Sequence, residues 1–255
     1  MRTVGLMNAA ALLAALASAA LLLFAGARWV AARPTFDFKR IEVRGDLQHV
    51  SAASIRAAIA GRLKGNYFTM RLDEARRLLE TVPWVAQASV RRVWPNRLLI
   101  TLREHRALGG WGDGRLLSDN GVLFIANVAE AEIFGPLPEF SGPDAEARTI
   151  AARYYEFAAL IAPLSLAIDA IDVSERRSWT LQASGPGVSS TSLELGRDDP
   201  PGTLQRRISD VVASYPMMAA HVGGPPARID ARYANGIAAA APSRAPETQA
   251  RPVRP

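Results

Sequence analysis

With 255 residues, 49% of them hydrophobic, and no cysteine, the chain can build a packed core but not disulfides, thiolate metal sites or a cysteine nucleophile. Its formal charge of +6 comes almost wholly from arginine, since Lys39 and Lys64 are the only lysines, and acids interrupt the arginines, as in Glu74-Ala75-Arg76-Arg77 and Arg103-Glu104. No aromatic-basic stripe accompanies them, so the excess reads as a solvated surface and argues against nucleic-acid binding.

The first element is apolar. Thr3 to Ala27 carries no charge and is rich in Leu and Ala; as a helix it would run about 37 Å, enough for a hydrocarbon core of about 30 Å. Trp29 stands where an interfacial aromatic belongs. The expectation is a retained anchor, with residues 1–3 cytoplasmic, 4–27 spanning and 28–35 linking. The rival is a cleavable signal peptide, for which Ala25-Gly26-Ala27 supplies a cleavage-like site, but the apolar run exceeds the usual signal core of about 7–15 residues. Arg2 on one side and Arg28, Arg33, Lys39 and Arg40 on the other leave orientation open, because long domains translocate largely regardless of charge.

The next stretch, 36–104, alternates patterns. Phe38 to Gly45 reads as a strand closed by a glycine turn. Ser51 or Ser54 can cap a helix with Ile55, Ala58, Ile59 and Leu63 at helical spacing, ended by Gly65-Asn66. Leu72, Ala75, Leu78, Leu79 and Val82 share a face of a second helix, with Asp73 and Glu74 near its start and Pro83 as its stop. Strands over 85–93 and 98–104 flank the turn Trp94-Pro95-Asn96-Arg97, and Leu98, Ile100 and Leu102 face one way. Trp84 is expected to plug the junction of helix and sheet. The order is β-α-α-β-β.

From 105 to 238 the pattern predicts a mixed β-sheet domain with two helices. Asp119-Asn120-Gly121 between Leu116-Leu117 and Val122 to Ile125 is a hairpin signal. Residues 137–143 look like a loop, and a helix follows over 145–162. Strands are expected over 168–173, 178–183 and 191–195. A helix over 203–215, with Leu204, Ile208, Val211 and Val212 inward, should stop at Pro216, before a last strand over 227–238. Residues 239–255, rich in Ala, Pro and Arg, read as a disordered tail. The fold class is therefore α+β, behind a single N-terminal transmembrane helix.

Two sets of residues carry a family resemblance. Val82-Pro83-Trp84-Val85 with Val90 to Leu98 resembles the POTRA domain of FtsQ/DivIB cell-division proteins. Glu175 to Leu181, Leu193-Glu194-Leu195-Gly196-Arg197 and Ile229 to Gly236 are similar to that family's β domain, in its order. The resemblance implies an inner-membrane protein at the septum, N-terminus cytoplasmic and soluble part periplasmic. It further implies FtsB-like and FtsL-like partners, with other divisome members reached through the POTRA domain. The family's terminal strand receives FtsB, and the positions here that match its contacts are Arg232 and Tyr233, with Arg176 as a second basic contact. Asn235 and Gly236 fall within the matching strand. An arginine there can pair with carboxylates, while Tyr233 can be either core or contact.

Enzyme chemistry finds no footing in the residues. There is no phosphate loop, no His-Glu-x-x-His and no Gly-x-Ser-x-Gly, and Gly109-Gly110-Trp111-Gly112 does not stand between a strand and a helix as a dinucleotide site requires. His49, His105 and His221 lack metal spacing; Asp198-Asp199 before Pro200-Pro201 suits a loop leading into a helix, and Asp119 suits its turn. No cofactor is expected. The expected function is a non-enzymatic division scaffold that bridges partners and controls septal peptidoglycan synthesis. The alternative is a POTRA-containing periplasmic chaperone or secretion and assembly adaptor, although nothing after Glu104 supplies the repeated strands of a membrane barrel.

Overall fold

A computed structural model describes residues 2–31, 33–233 and 235–242. Backbone contacts divide the chain between Glu104 and His105 into two units.

The first unit opens with α1 (Arg2–Ala31), whose stretch Ala11–Ala31 has a mean hydropathy of 1.9 and fits a transmembrane helix by length and composition. Then come β1 (Arg40–Arg44), α2 (Ala52–Ile59), α3 (Leu72–Leu79), β2 (Val85–Val93) and β3 (Arg97–Glu104), the expected β-α-α-β-β order. The sheet order is β1-β3-β2, with β3 parallel to β1 and antiparallel to β2. Ser51 caps α2 by accepting the Ser54 N–H at 3.0 Å. The helix ends at Ile59, short of the predicted Gly65-Asn66, because the chain turns at Gly61, where φ is +68°. Leu98, Ile100 and Leu102 are buried with Ile55, Ile59, Ala75 and Leu79. In α3 the fully buried leucine is Leu79, and Leu78 is only half-buried.

Trp84 is buried, as its plugging role requires, and stacks on His49 with ring centroids 3.9 Å apart. The Glu104 carboxylate, at the end of β3, holds the same region from the other side. It accepts the N–H groups of Gln48, His49 and Val50 at 2.7–3.1 Å and hydrogen-bonds His49 Nδ1 at 3.0 Å. Burial pushes this carboxyl up, but those donors outweigh it and leave it below its ordinary value.

The second unit is built on a nine-stranded sheet. In chain order it contains β4 (Ala107–Trp111), β5 (Leu116–Ser118), β6 (Leu123–Phe124), the one-turn α4 (Val128–Ala131), β7 (Glu139–Ser141) and α5 (Ala147–Ile161). Next are β8 (Ala167–Val173), β9 (Trp179–Gly185), β10 (Val188–Gly196), α6 (Thr203–Val222), β11 (Arg228–Asp230) and β12 (Ala238–Ala240). The sheet order is β12-β11-β10-β9-β8-β7-β4-β5-β6. The core gathers Phe140, Ile150, Phe157, Ile171, Leu181, Leu204 and Ile208 among others.

Three sequence expectations fail in this unit for physical reasons. Residues 139–141, read as loop, are the parallel strand β7 between β4 and β8. It passes so close to Gly109 that a Cβ there would run into the Pro138 carbonyl and the Phe140 ring, which accounts for glycine inside β4. Pro216 does not stop α6, which continues to Val222. The proline removes one N–H, but Met218 beyond it is buried against the core and holds the last turns in place. The single last strand predicted over 227–238 is two strands, β11 and β12, and β12 takes in Ala239 and Ala240 from the predicted tail. The rest of that tail, from residue 243, lies outside the described residues.

Candidate protein-binding site

The break between β11 and β12 begins with Asp230. Its carboxylate accepts the Arg232 backbone N–H at 3.0 Å, two residues on, an Asx-type turn that bends the chain out of the sheet. The same carboxylate takes a two-pronged bond from the Arg232 guanidinium, at 2.9 and 2.6 Å. Arg232 also reaches Glu194 of β10 at 3.1 Å, and Arg228 pairs with the other oxygen of Glu194. The hydrogen bonds from Arg232 hold the Asp230 carboxyl below the usual carboxylate range, and Arg232 is pushed above its own. Two arginines and two acids thus tie β10 to β11. From the far side Arg207 of α6 donates to the Leu195 carbonyl and, at 3.0 Å, to the Arg232 carbonyl.

Gly196 lets this lattice close. Its φ is +73°, and a Cβ there would come within 3.1 Å of the Arg207 guanidinium and 3.2 Å of Arg232 Cγ. A pocket of about 490 Å³ opens beside it, lined by Arg176, Arg197, Arg207 and Arg232 with Ser178 and the acid Asp199. Arg176 and Arg232, far apart in sequence, therefore share one basic pocket.

Tyr233, the next residue, faces solvent with 64% of its surface exposed, which excludes the core alternative in the unbound protein. It lines a second groove, of about 370 Å³, with Asn235, Gly236 and Ile237 on one side and Ser214 and Met217 of α6 on the other. Met217 is 71% exposed and stands on the part of α6 beyond Pro216. An exposed tyrosine opposite an exposed methionine offers an adaptable apolar contact with a hydroxyl at its rim.

Beyond the groove, β12 is the edge of the sheet among the described residues. It pairs antiparallel with β11, Ile229 opposite Ala239, and the Ala227 N–H bonds the Ala240 carbonyl at 2.9 Å. Its side-chain hold on the unit is Ile237 and Ala239, both partly buried against the core. Edge strands present N–H and C=O groups that another strand can complete. Arg232, Tyr233, Asn235 and Gly236, expected within the edge strand, instead occupy the connection that leads into it. Sequence reasoning passed over Arg207, Asp230 and Met217. The available signals were an arginine three residues after Leu204 and four before Val211, and an Asp two residues before Arg232.

Among the described residues no group of three or more His, Cys, Asp or Glu could hold a metal ion. A helix long and apolar enough to cross a membrane, a β-α-α-β-β unit and a larger sheet with an edge strand at β12 define the class of fold. Comparison with known proteins makes the class specific. The family model described as POTRA domain, FtsQ-type, matches residues 36–105, and that described as Cell division protein FtsQ/DivIB, C-terminal, matches residues 109–232. The protein called Cell division protein FtsQ in Burkholderia pseudomallei (strain K96243) is 43% identical over 89% of this chain and 90% of its own length. Those of Bordetella pertussis and Nitrosospira multiformis are 38% and 31% identical, over 92% and 83% of this chain and 90% and 86% of their own lengths. The chain belongs to the FtsQ/DivIB family of cell-division proteins. The second match ends at Arg232, so Tyr233 and the edge strand lie just past it.

Proposed function

We propose that this protein is a non-enzymatic scaffold of the division machinery. In this reading its N-terminus is cytoplasmic, its two units are periplasmic at the septum, and it bridges FtsB-like and FtsL-like proteins to control septal peptidoglycan synthesis. The family supports the divisome role. The observation that carries the binding reading is the convergence, at one corner of the second unit, of the open strand β12, the Tyr233–Met217 groove and the arginine pocket. A partner segment adds a strand to β12, lays apolar side chains against Tyr233 and Met217, and sends carboxylates towards Arg176, Arg197 and Arg232. Asn235 and Gly236 shape the connection and let the partner backbone approach.

Successive residues of a strand point their N–H groups to opposite sides, so Ala238→Pro and Ala239→Pro, made separately, remove one outward and one inward donor. Titration of the FtsB-like partner's C-terminal segment against each should show loss of binding in the variant whose melting is unchanged. If both variants bind as the parent does, strand addition at β12 is wrong.

A further inference from the structure

The first unit has an exposed apolar surface of its own, at the end of the fold where α1 arrives. Three segments meet there. The Tyr67 N–H donates to the Phe36 carbonyl and the Lys39 N–H to the Asn96 carbonyl, both at 2.9 Å, while Asn66 Nδ2 donates to the Ala31 carbonyl at 2.6 Å. Their aromatic rings pack on one another. Phe36 meets Phe68 edge-on at 4.9 Å, and Tyr67 meets Trp94 at 5.5 Å. Despite these contacts Trp94 remains 61% exposed and Phe68 49% exposed. The core of the unit lies elsewhere, among Leu79, Leu98 and Ile100, and draws on neither ring. Lys39 and Arg40 follow Phe36 and Phe38 closely in the chain, Arg62 and Lys64 precede Tyr67 and Phe68, all four are exposed, and Asp37 is the only acid within 36–40 and 62–68.

From this we infer that the aromatic end of the first unit is a membrane seat: Phe68 and Trp94 rest in the headgroup layer of the bilayer that α1 crosses, with Lys39 and Arg62 against anionic headgroups. The occupant follows from connectivity. Asn66 bonds Ala31, the last residue of α1, so the loop bearing Phe68 is fastened just past Arg28 and Trp29, where the uncharged run has ended. Tryptophan and other amphipathic rings favour that depth, and basic side chains beside an anionic surface add to the attraction. A partner protein covering these rings would have to enter between the unit and its own membrane. The seat fixes how the POTRA unit stands on the bilayer, and it rests on α1 spanning it.

Because the chain has no cysteine, single labels can be placed at will. The full chain is inserted into nanodiscs of phosphatidylethanolamine and phosphatidylglycerol. A spin label is carried at Lys64→Cys or, as a control past the far end of β1, at Asp46→Cys. Collision with dioxygen, which concentrates in lipid, is compared with collision with a water-soluble nickel chelate. The label at position 64 should favour dioxygen and the label at 46 the chelate. Phe68→Ser with Trp94→Ser should return position 64 to the control pattern while the chain still melts cooperatively, and Arg62→Gln should lower the seated-to-lifted ratio about fivefold. Equal patterns at 64 and 46 in the otherwise native chain overturn the seat. So does shielding of position 64 from both reagents, which signals a protein cover. Failure of the chain to enter discs at all overturns the reading of α1 itself.

Discussion

The three-stranded sheet of the first unit and the nine-stranded sheet of the second place very different weight on their individual residues. In the first, a few side chains such as Leu79, Leu98 and Ile100 form much of the core, and one carboxylate, Glu104, fastens the 48–50 loop. In the second, the core draws on strands from β4 to β11 and on two long helices, and its last strand adds three alanines and the flank of Ile237. A large core can carry an edge on which it hardly depends. Such an edge is free to be shaped for a partner, whereas a small core spends nearly every inward residue on itself and leaves only its rim exposed.

The largest loss of stability is expected in the first core. Leu79→Ala should cost about 2–5 kcal/mol, and Leu78→Ala clearly less, because only Leu79 is fully enclosed. Urea unfolding of each variant measures both, and a larger loss at Leu78 would mean that the wrong face of α3 has been assigned inward.

Glu104→Gln should come next, at about 1–3 kcal/mol near neutral pH, since it removes a charged acceptor from several donors. The folded carboxyl sits below its ordinary value, so its contribution is complete above the unfolded value of about 4.3 and fades as pH falls through the lowered one. Parent and variant should therefore converge in acid. A gap that widens on acidification would contradict the assignment.

A smaller effect is expected at the second unit's edge lattice. Arg232→Glu sets a third acid beside Asp230 and Glu194, so it should lower the melting temperature as well as partner affinity, while Arg232→Gln should do less of both. If Arg232→Glu left melting untouched, the lattice would not be holding β11. The smallest stability change belongs to Tyr233→Ala, about 0.5 kcal/mol or less for so exposed a ring. Its affinity for the partner segment should nevertheless fall roughly tenfold. Loss of stability in place of affinity would make Tyr233 a structural residue and not a contact.

Much of the first unit was legible because its helices and strands are periodic and two of their bounds are explicit, Ser51 before α2 and Pro83 after α3, whereas the end of α2 was placed too late, at Gly65-Asn66. The hairpin at Asp119-Asn120-Gly121 was legible as turn chemistry. What escaped depends on partners distant in sequence. β7 is three residues long and is a strand only because β4 and β8 flank it, and Gly109 looks like loop until Phe140 is known to press on it. Pro216 is a sound stop for an isolated helix, and burial of Met218 overrides it. At the candidate site, Arg176 and Arg232 were picked out by resemblance, but no local pattern shows that they line one pocket, or that Arg232 is already bound to Asp230 and Glu194. The turn at Asp230 was readable in principle, as an Asx motif inside what looked like a continuous strand.

The parallel pairing of β1 with β3 has a mechanical consequence. The chain coming from α1 enters β1 at Arg40, and the chain leading to the second unit leaves β3 at Glu104. Because the two strands run side by side in the same direction, with Arg40 opposite Arg97, these attachment points lie at opposite ends of the ladder. A tug between them does not peel the strands apart bond by bond. It drags one along the other, so that the hydrogen bonds from Arg40–Arg97 to Arg44–Thr101 share the load and must yield together. The small sheet is thereby loaded in its stiffest direction whenever the two ends of the chain are pulled apart.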